Sequence, residues 1–146
     1  MKDAAARLID KDAIRDLIHT YCRAVDRLDV ALGHAIWHED GVADYGAFYQ
    51  GDGRGVIDAI CKSHEHLDSH SHQVSNILIR LEGDRAWSEA YVTGTMRRTH
   101  EGKVIQIGIW GRYLDAWERR GGRWGLVKRE GLHDHDEGRE VTPAGQ

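Results

Sequence analysis

The chain has 146 residues, of which 40% are apolar and five are tryptophan, and this composition suits one globular domain rather than a disordered chain. The formal net charge is −4 and no basic run is present, which argues against a nucleic-acid partner. The first residues lack the apolar segment of a signal peptide, and no apolar run could span a membrane, so we expect a cytoplasmic protein. We expect a single domain over residues 1–146, with its core at about 8–136 and a loose polar tail over 137–146.

The first half of the chain is predicted to be mainly helical. Apolar residues recur every three or four positions over residues 10–28, which predicts an amphipathic helix with Asp10 as its N-cap. A short second helix is expected over Val30–Trp37, followed by a small hairpin that turns at Gly46. A third helix is expected to open at Gly53.

The second half is predicted to be four antiparallel strands joined by tight turns. Their expected ranges are Val74–Leu81, Arg85–Thr99, Val104–Arg119 and Trp124–His133. Helices followed by a run of strands indicate an α+β fold, with three helices packed on one face of a curved, mostly antiparallel sheet. Glycines within the long strands favour bending, so the sheet is expected to form a cone around a cavity for one small hydrophobic molecule.

The histidines and cysteines do not form a recognisable metal motif. His66 and His70 have i,i+4 spacing, but no HExxH sequence is present and no cysteine completes a ligand motif with them. No glycine-rich phosphate loop is present either. We therefore predict no metal site and no cofactor, and we expect Cys22 and Cys61 to be buried free thiols.

Asp26 and His72 are the residues most suited to chemistry. Asp26 extends a buried column of the first helix at i+4 steps, and a buried carboxylate needs a partner. Strand alternation puts His72 on the same face as Val74 and Asn76, which favours an inward-facing imidazole. An imidazole oriented by a carboxylate can act as a general base near neutral pH. The alternatives are an Asp26 salt bridge to a neighbouring arginine and a His72 that only forms structural hydrogen bonds.

Five further residues are candidates for the site. Tyr21 could donate a hydrogen bond to a developing anion, or it could be a core aromatic, and Tyr45 is a comparable candidate. Trp110 lies between two glycines and is expected to line the cavity. Arg129 could bind a carboxylate or phenolate of the substrate, and His133 is expected at the cavity mouth.

Several motifs, together with the order of elements, resemble the SnoaL-like branch of the nuclear transport factor 2-like superfamily. They are Tyr21-x4-Asp26, Trp37-His38-Glu39-Asp40, Ser71-His72-Gln73-x2-Asn76 and Gly111-Arg112-Tyr113-x3-Trp117-Glu118-Arg119-Arg120-x2-Arg123-Trp124. Tyr21, Asp26 and His72 resemble the catalytic positions of lindane dehydrochlorinase, scytalone dehydratase and bile-acid 7α-dehydratase. The resemblance implies proton abstraction by a His–Asp pair inside the cone, followed by departure of a leaving group.

The expected function is therefore a cofactor-independent lyase that acts on a small hydrophobic or aromatic substrate. The fragment lost could be water, a halide or a small carbonyl such as formaldehyde. A double-bond isomerase, a polyketide-type cyclase, and a non-catalytic binding or oxygenase-supporting subunit are the alternatives. Alternation over residues 85–117 leaves apolar residues to be shared between the two faces of the sheet, including Trp87, Tyr91, Ile105 and Ile109. Because the outer face then also needs covering, we predict a homo-oligomer, either a dimer or a trimer.

Overall fold

The computed structural model describes residues 3–143, in which three helices and two short strands precede four long strands. The helices are α1 (Ala4–Asp26), α2 (Val30–Ala35) and α3 (Gly53–His64). The strands are β1 (Trp37–Asp44), β2 (Gln50–Asp52), β3 (Ser69–Glu82), β4 (Arg85–His100), β5 (Lys103–Arg120) and β6 (Arg123–Val141). No helix in this part of the chain is both long and apolar enough to cross a membrane.

The strands form one mixed sheet in the order β2-β1-β6-β5-β4-β3. Strands β3 to β6 pair antiparallel as a meander, whereas β1 runs parallel to β6 and joins the first half of the chain to the second. The helices lie on one face of this curved sheet, with α1 against β3 and α3 against β1. The predicted α+β class is therefore confirmed, and the predicted hairpin proves to be part of the same sheet.

Helix α1 starts earlier than the sequence predicts. Its N-cap is Asp3, whose carboxylate accepts from the backbone N–H of Ala6 at 2.7 Å, so the prediction of Asp10 as the cap was wrong. Asp10 is instead buried, and its Oδ1 accepts from Trp124 Nε1 at 3.0 Å and from Arg119 at 2.8 Å. This polar residue looks like a helix boundary in the sequence, but it ties α1 to the β5–β6 hairpin.

Two other boundaries differ from the sequence prediction. Helix α2 ends at Ala35, and Trp37, which was expected to end that helix, opens β1 and is fully buried. Strand β6 continues through Val141, which pairs with Val104, whereas a loose tail was expected from residue 137. Residues 137–141 are mostly polar, but β5 is long enough for its residues 104–108 to pair with them through the backbone.

The concave face of the sheet carries small side chains at its centre. Ala86, Ser88 and Ala90 are buried on the inner face of β4, and Gly94 continues the same alternation, as predicted. On β3 the alternation breaks at Asn76, which adopts a φ of 53° at a register shift and is exposed. The prediction that Asn76 shares the inner face with His72 was therefore wrong, because the bulge adds a residue to the strand. Small inner residues leave space between sheet and helices.

Candidate active site

Asp26 and His72 are in direct contact, as the sequence predicts. Asp26 is the last residue of α1, and its Oδ1 lies 2.6 Å from His72 Nδ1. Its Oδ2 accepts from the backbone N–H of His72 at 2.9 Å. One carboxylate thus binds both the ring and the backbone of the same residue, which fixes the direction of the imidazole.

The electrostatics of the pair favour an ionised Asp26. Burial alone would raise the pKa of this carboxyl, but the hydrogen bonds from the ring and backbone of His72 lower it by more than burial raises it, so the net shift of the pKa is downward. A carboxylate only accepts hydrogen bonds, so Nδ1 of His72 carries the proton. In the neutral form of the ring, the other nitrogen, Nε2, has a free lone pair. A Cβ built on Gly94 would lie 3.6 Å from Nε2, and Gly94 and His72 line the same cavity.

A cavity of about 400 Å³ lies between the helices and the concave face of the sheet. Its wall is mainly apolar and includes Phe48, Ile60, Leu67, Val92, Ile109 and Leu132. The polar lining includes four of the predicted site residues, which are Tyr21, Tyr45, His72 and His133. The arrangement suits a small hydrophobic molecule that carries a few polar groups.

Three tyrosines form the polar wall at another part of the cavity. The hydroxyls of Tyr21 and Tyr45 are 2.6 Å apart, and the ring of Tyr113 meets that of Tyr21 edge-on at 5.7 Å between centroids. Burial raises the pKa of each phenol, so all three are neutral hydrogen-bonding groups at physiological pH. Tyr113 was not among the predicted site residues, although it alternates with Gly111 on the inner face of β5.

Arg129 lies beneath these tyrosines rather than in the cavity. Its Nε and one terminal nitrogen contact the two carboxylate oxygens of Asp115 at 2.7 and 2.8 Å, and both side chains are completely buried. The guanidinium carbon lies 4.2 Å from the ring centroid of Tyr21 and 3.9 Å from that of Tyr113. The prediction that Arg129 binds substrate is therefore corrected, because Asp115 and the tyrosine rings enclose its charge. Its observed contacts support the tyrosine wall from behind.

Trp110 also lies outside the cavity. The cavity-lining residues of β5 are Ile109, Gly111 and Tyr113, so Trp110 points to the opposite face of the sheet. There its ring stacks on His135, with centroids 4.6 Å apart and an angle of 11° between the planes. The prediction that Trp110 lines the cavity was wrong by one residue in the strand alternation.

Two further imidazoles surround the Asp26–His72 pair. His70 Nδ1 lies 3.7 Å from Asp26 Oδ1, and the ring of His64 lies 4.7 Å from that of His70 and 5.7 Å from that of His72. Burial and the two neighbouring imidazoles lower the pKa of His64 to about 4, so this ring is neutral at physiological pH. His64 was not among the predicted site residues, because nothing in the spacing shows that the end of α3 meets β3.

A separate polar groove of about 390 Å³ reaches the pair from the other side. Its lining includes Asp26, His72, Arg23, Arg27 and Gln73. Asp26 lines this groove and not the cavity, whereas His72 lines both. The nearby arginines do not form an ion pair with the Asp26 carboxylate in the structure; Arg27 reaches only the backbone oxygen of Asp26, at 3.4 Å.

The other metal and thiol candidates, His66, His70, Cys22 and Cys61, do not line the cavity. Within residues 3–143, no set of three or more His, Cys, Asp or Glu side chains has an arrangement that could hold a metal ion. His66 and His70 do not share a helix, since α3 ends at His64. Cys22 and Cys61 are buried and free, as predicted, and burial raises the pKa of Cys22 to about 11, which keeps the thiol protonated.

Comparisons with known proteins agree with this architecture. A profile described as a SnoaL-like domain matches residues 6–130. A hexachlorocyclohexane dehydrochlorinase, LinA Type2, superposes with a TM-score of 0.83 at 20% identity, covering 99% of this chain and 100% of the other. A candidate scytalone dehydratase from Novosphingobium aromaticivorans has a TM-score of 0.77 at 24% identity and covers 99% of both chains. The Kfla4162 protein of Kribbella flavida has a TM-score of 0.79 at 16% identity, covering 90% of this chain and 95% of the other. No curated protein sequence matches the chain.

Proposed function

The chain belongs to the SnoaL-like domain family, and from this premise we propose that it is a cofactor-independent lyase. In this proposal His72 and Asp26 remove a proton from a small hydrophobic ring compound, and a leaving group departs from the neighbouring carbon. Water or hydrogen halide is lost in this elimination. Loss of a small carbonyl would instead begin with removal of a hydroxyl proton by His72, followed by cleavage of the carbon–carbon bond and protonation of the carbanion that remains. The similar structures named as a dehydrochlorinase and a scytalone dehydratase support a fold that suits such a lyase. The contact between His72 and Asp26 beside the cavity supports proton abstraction.

The observation that carries the proposal is the orientation of His72. Its Nδ1 is 2.6 Å from an ionised carboxylate, and its Nε2 is on the side of an apolar cavity. A neutral imidazole in this tautomer is equipped to accept a proton from a bound molecule. The adjacent carboxylate then stabilises the imidazolium that forms.

The proposed elimination follows from these contacts. Nε2 of His72 takes the proton, the electrons of the broken C–H bond form a carbon–carbon double bond, and the leaving group departs with the electrons of its own bond. The free hydroxyl hydrogen of the Tyr21–Tyr45 pair donates to oxygen or halogen as negative charge develops there. Proton transfer from the imidazolium to the departed group or to solvent regenerates the base.

A mass-resolved substrate screen tests this function. Hydroxylated and halogenated ring compounds are incubated with the protein in the presence of a chelator and without nucleotide or flavin. We expect a product that is lighter by water or by hydrogen halide, and we expect His72→Ala to abolish its formation. A product of unchanged mass would favour the isomerase alternative, and tight binding without turnover would favour a non-catalytic binding domain.

We also propose that the protein is a homo-oligomer, either a dimer or a trimer. The convex face of the sheet exposes large apolar side chains, including Leu78, which is 67% exposed, and Tyr91, which is 49% exposed. Burying such residues against a second copy would remove apolar surface from water. The cavity lies on the opposite face of the sheet.

A further inference from the structure

His64 lines the cavity but has no role in the elimination described above. It is the last residue of α3, and its ring lies nearly parallel to that of His72, with 5.7 Å between centroids and 24° between planes. Any molecule that reaches Nε2 of His72 through the cavity therefore passes close to a second imidazole. The surrounding wall from α3 is apolar apart from Ser63, whose hydroxyl is already bonded to the backbone oxygen of Ile60 at 2.8 Å.

The environment of the two ring nitrogens decides where the proton of neutral His64 lies. Nδ1 is buried, and no group within the described residues hydrogen bonds to it. A buried donor without a partner is less well tolerated than a buried acceptor without one, so the proton is favoured on Nε2. Nε2 is not among the buried unpartnered atoms, and it forms no hydrogen bond with the described part of the protein. This nitrogen therefore presents an unused N–H donor.

The charge state of the ring supports the same role. Burial, together with His70 and His72, opposes protonation of His64, while the Asp26 carboxylate favours it only weakly. A neutral ring beside His72 does not repel the imidazolium that would form there. It provides a donor without competing for the proton.

We propose that His64 is a specificity residue whose Nε2–H donates to a carbonyl or hydroxyl oxygen of the substrate. The inference rests on the proposed function and narrows its substrate class to ring compounds that carry an oxygen substituent near the carbon that loses its proton. A ring with halogen or hydrogen at that place would leave the donor without a good acceptor, and an unsatisfied donor in an apolar cavity is unfavourable.

Binding of 1-indanone and indane to the full chain tests the proposal. The two probes share a carbon skeleton, and only 1-indanone has a carbonyl oxygen. Affinities are measured by calorimetry for the wild type, His64→Phe, His64→Gln and Tyr45→Phe, with His66→Phe as a matched control at an exposed position outside the cavity. Because binding needs no turnover, the result does not depend on whether elimination occurs.

We expect the wild type to prefer 1-indanone, and we expect His64→Phe to reduce the ratio of the two affinities by about 3- to 10-fold, the range for one hydrogen bond. His64→Gln retains an N–H donor and should restore part of the ratio, and His66→Phe should leave it unchanged. In ¹⁵N spectra, 1-indanone but not indane should shift the Nε2 resonance of His64. An unchanged ratio in His64→Phe, a loss confined to Tyr45→Phe, or no binding of either probe would overturn the proposal.

Discussion

Replacing Asp26 with asparagine should move the proton of His72 to the wrong ring nitrogen. The wild-type carboxylate accepts twice, from Nδ1 of the ring and from the backbone N–H of His72. Asparagine has a single oxygen. If that oxygen accepts from the backbone, the amide group faces Nδ1 and forces a lone pair there, so the proton moves to Nε2. An Nε2 that carries a proton cannot accept another.

The size of the effect follows from the alternative orientation of the asparagine. If the asparagine oxygen turns toward Nδ1, the correct tautomer of His72 is restored. The side-chain NH2 group of the asparagine then faces the backbone N–H of His72, and neither donor has an acceptor there. An unsatisfied buried donor costs about 1–3 kcal/mol, which leaves the competent form about 5- to 150-fold less populated. Loss of the negative charge beside the imidazolium adds to this, so we expect kcat to fall by about 10²–10⁴-fold.

The assay combines ¹⁵N spectroscopy of the histidines with turnover of the substrate found by the screen. In the wild type His72 should be protonated on Nδ1, and in Asp26→Asn on Nε2. Asp16→Asn, at an exposed position on the same helix, is the control with the same change in charge. An Nε2–H tautomer already present in the wild type, or a kcat of Asp26→Asn close to that of Asp16→Asn, would refute the reasoning.

Four further predictions follow from the contacts described above. His72→Ala should lower kcat by about 10²–10⁴-fold and leave the circular dichroism spectrum unchanged; a rate near that of the wild type would exclude His72 as the base. The pKa of His64 is lowered from 6.5 to about 4, so unfolded chains bind the proton first as the pH falls; stability should decrease by about 1–2 kcal/mol between these values, and His64→Phe should lessen the slope in urea titrations. Arg129→Met leaves Asp115 as an unpaired buried carboxylate and should reduce the unfolding free energy by about 3–5 kcal/mol, while adding Asp115→Leu should recover much of the loss; an unchanged urea midpoint in the single variant would contradict this. Sedimentation at micromolar concentration should give a dimer or trimer rather than a single 16.5 kDa species, and Leu78→Glu should weaken the assembly.

The sequence predicts those features of the fold that depend on local periodicity. The inner face of β4 is readable because small residues alternate without interruption. The Asp26–His72 contact was predicted from a helical column and a short stretch of strand together with the resemblance to the SnoaL-like family. The start of α1 is not readable in this way, because Leu8 and Ile9 are 65% and 69% exposed while polar Asp10 is buried. Apolar periodicity therefore fails over the first turns of that helix.

The rest of the site depends on register across the sheet. Asp115 and Arg129 face each other on β5 and β6, and an irregularity next to Ala116 and Trp117 shifts the pairing of these strands. The tight turn between β5 and β6 indicates how the strands are offset near the turn, but the sequence does not show the irregularity that changes this offset, so the partner of Arg129 could not be predicted. The same limitation applies to Trp110, where an error of one residue exchanges the cavity for the outer surface.

The polar groove behind the Asp26–His72 pair gives its two members different surroundings. The carboxylate borders an open polar groove with two arginines, whereas the far edge of the imidazole borders an apolar chamber, which is the cavity described above. Occupation of the chamber by a ligand does not seal the carboxylate from the medium. Salt ions and small buffer acids can therefore reach the Asp26 carboxylate through the groove even when a ligand fills the chamber. The electrostatic environment of the Asp26–His72 pair can consequently be changed from the surface without altering the shape of the chamber.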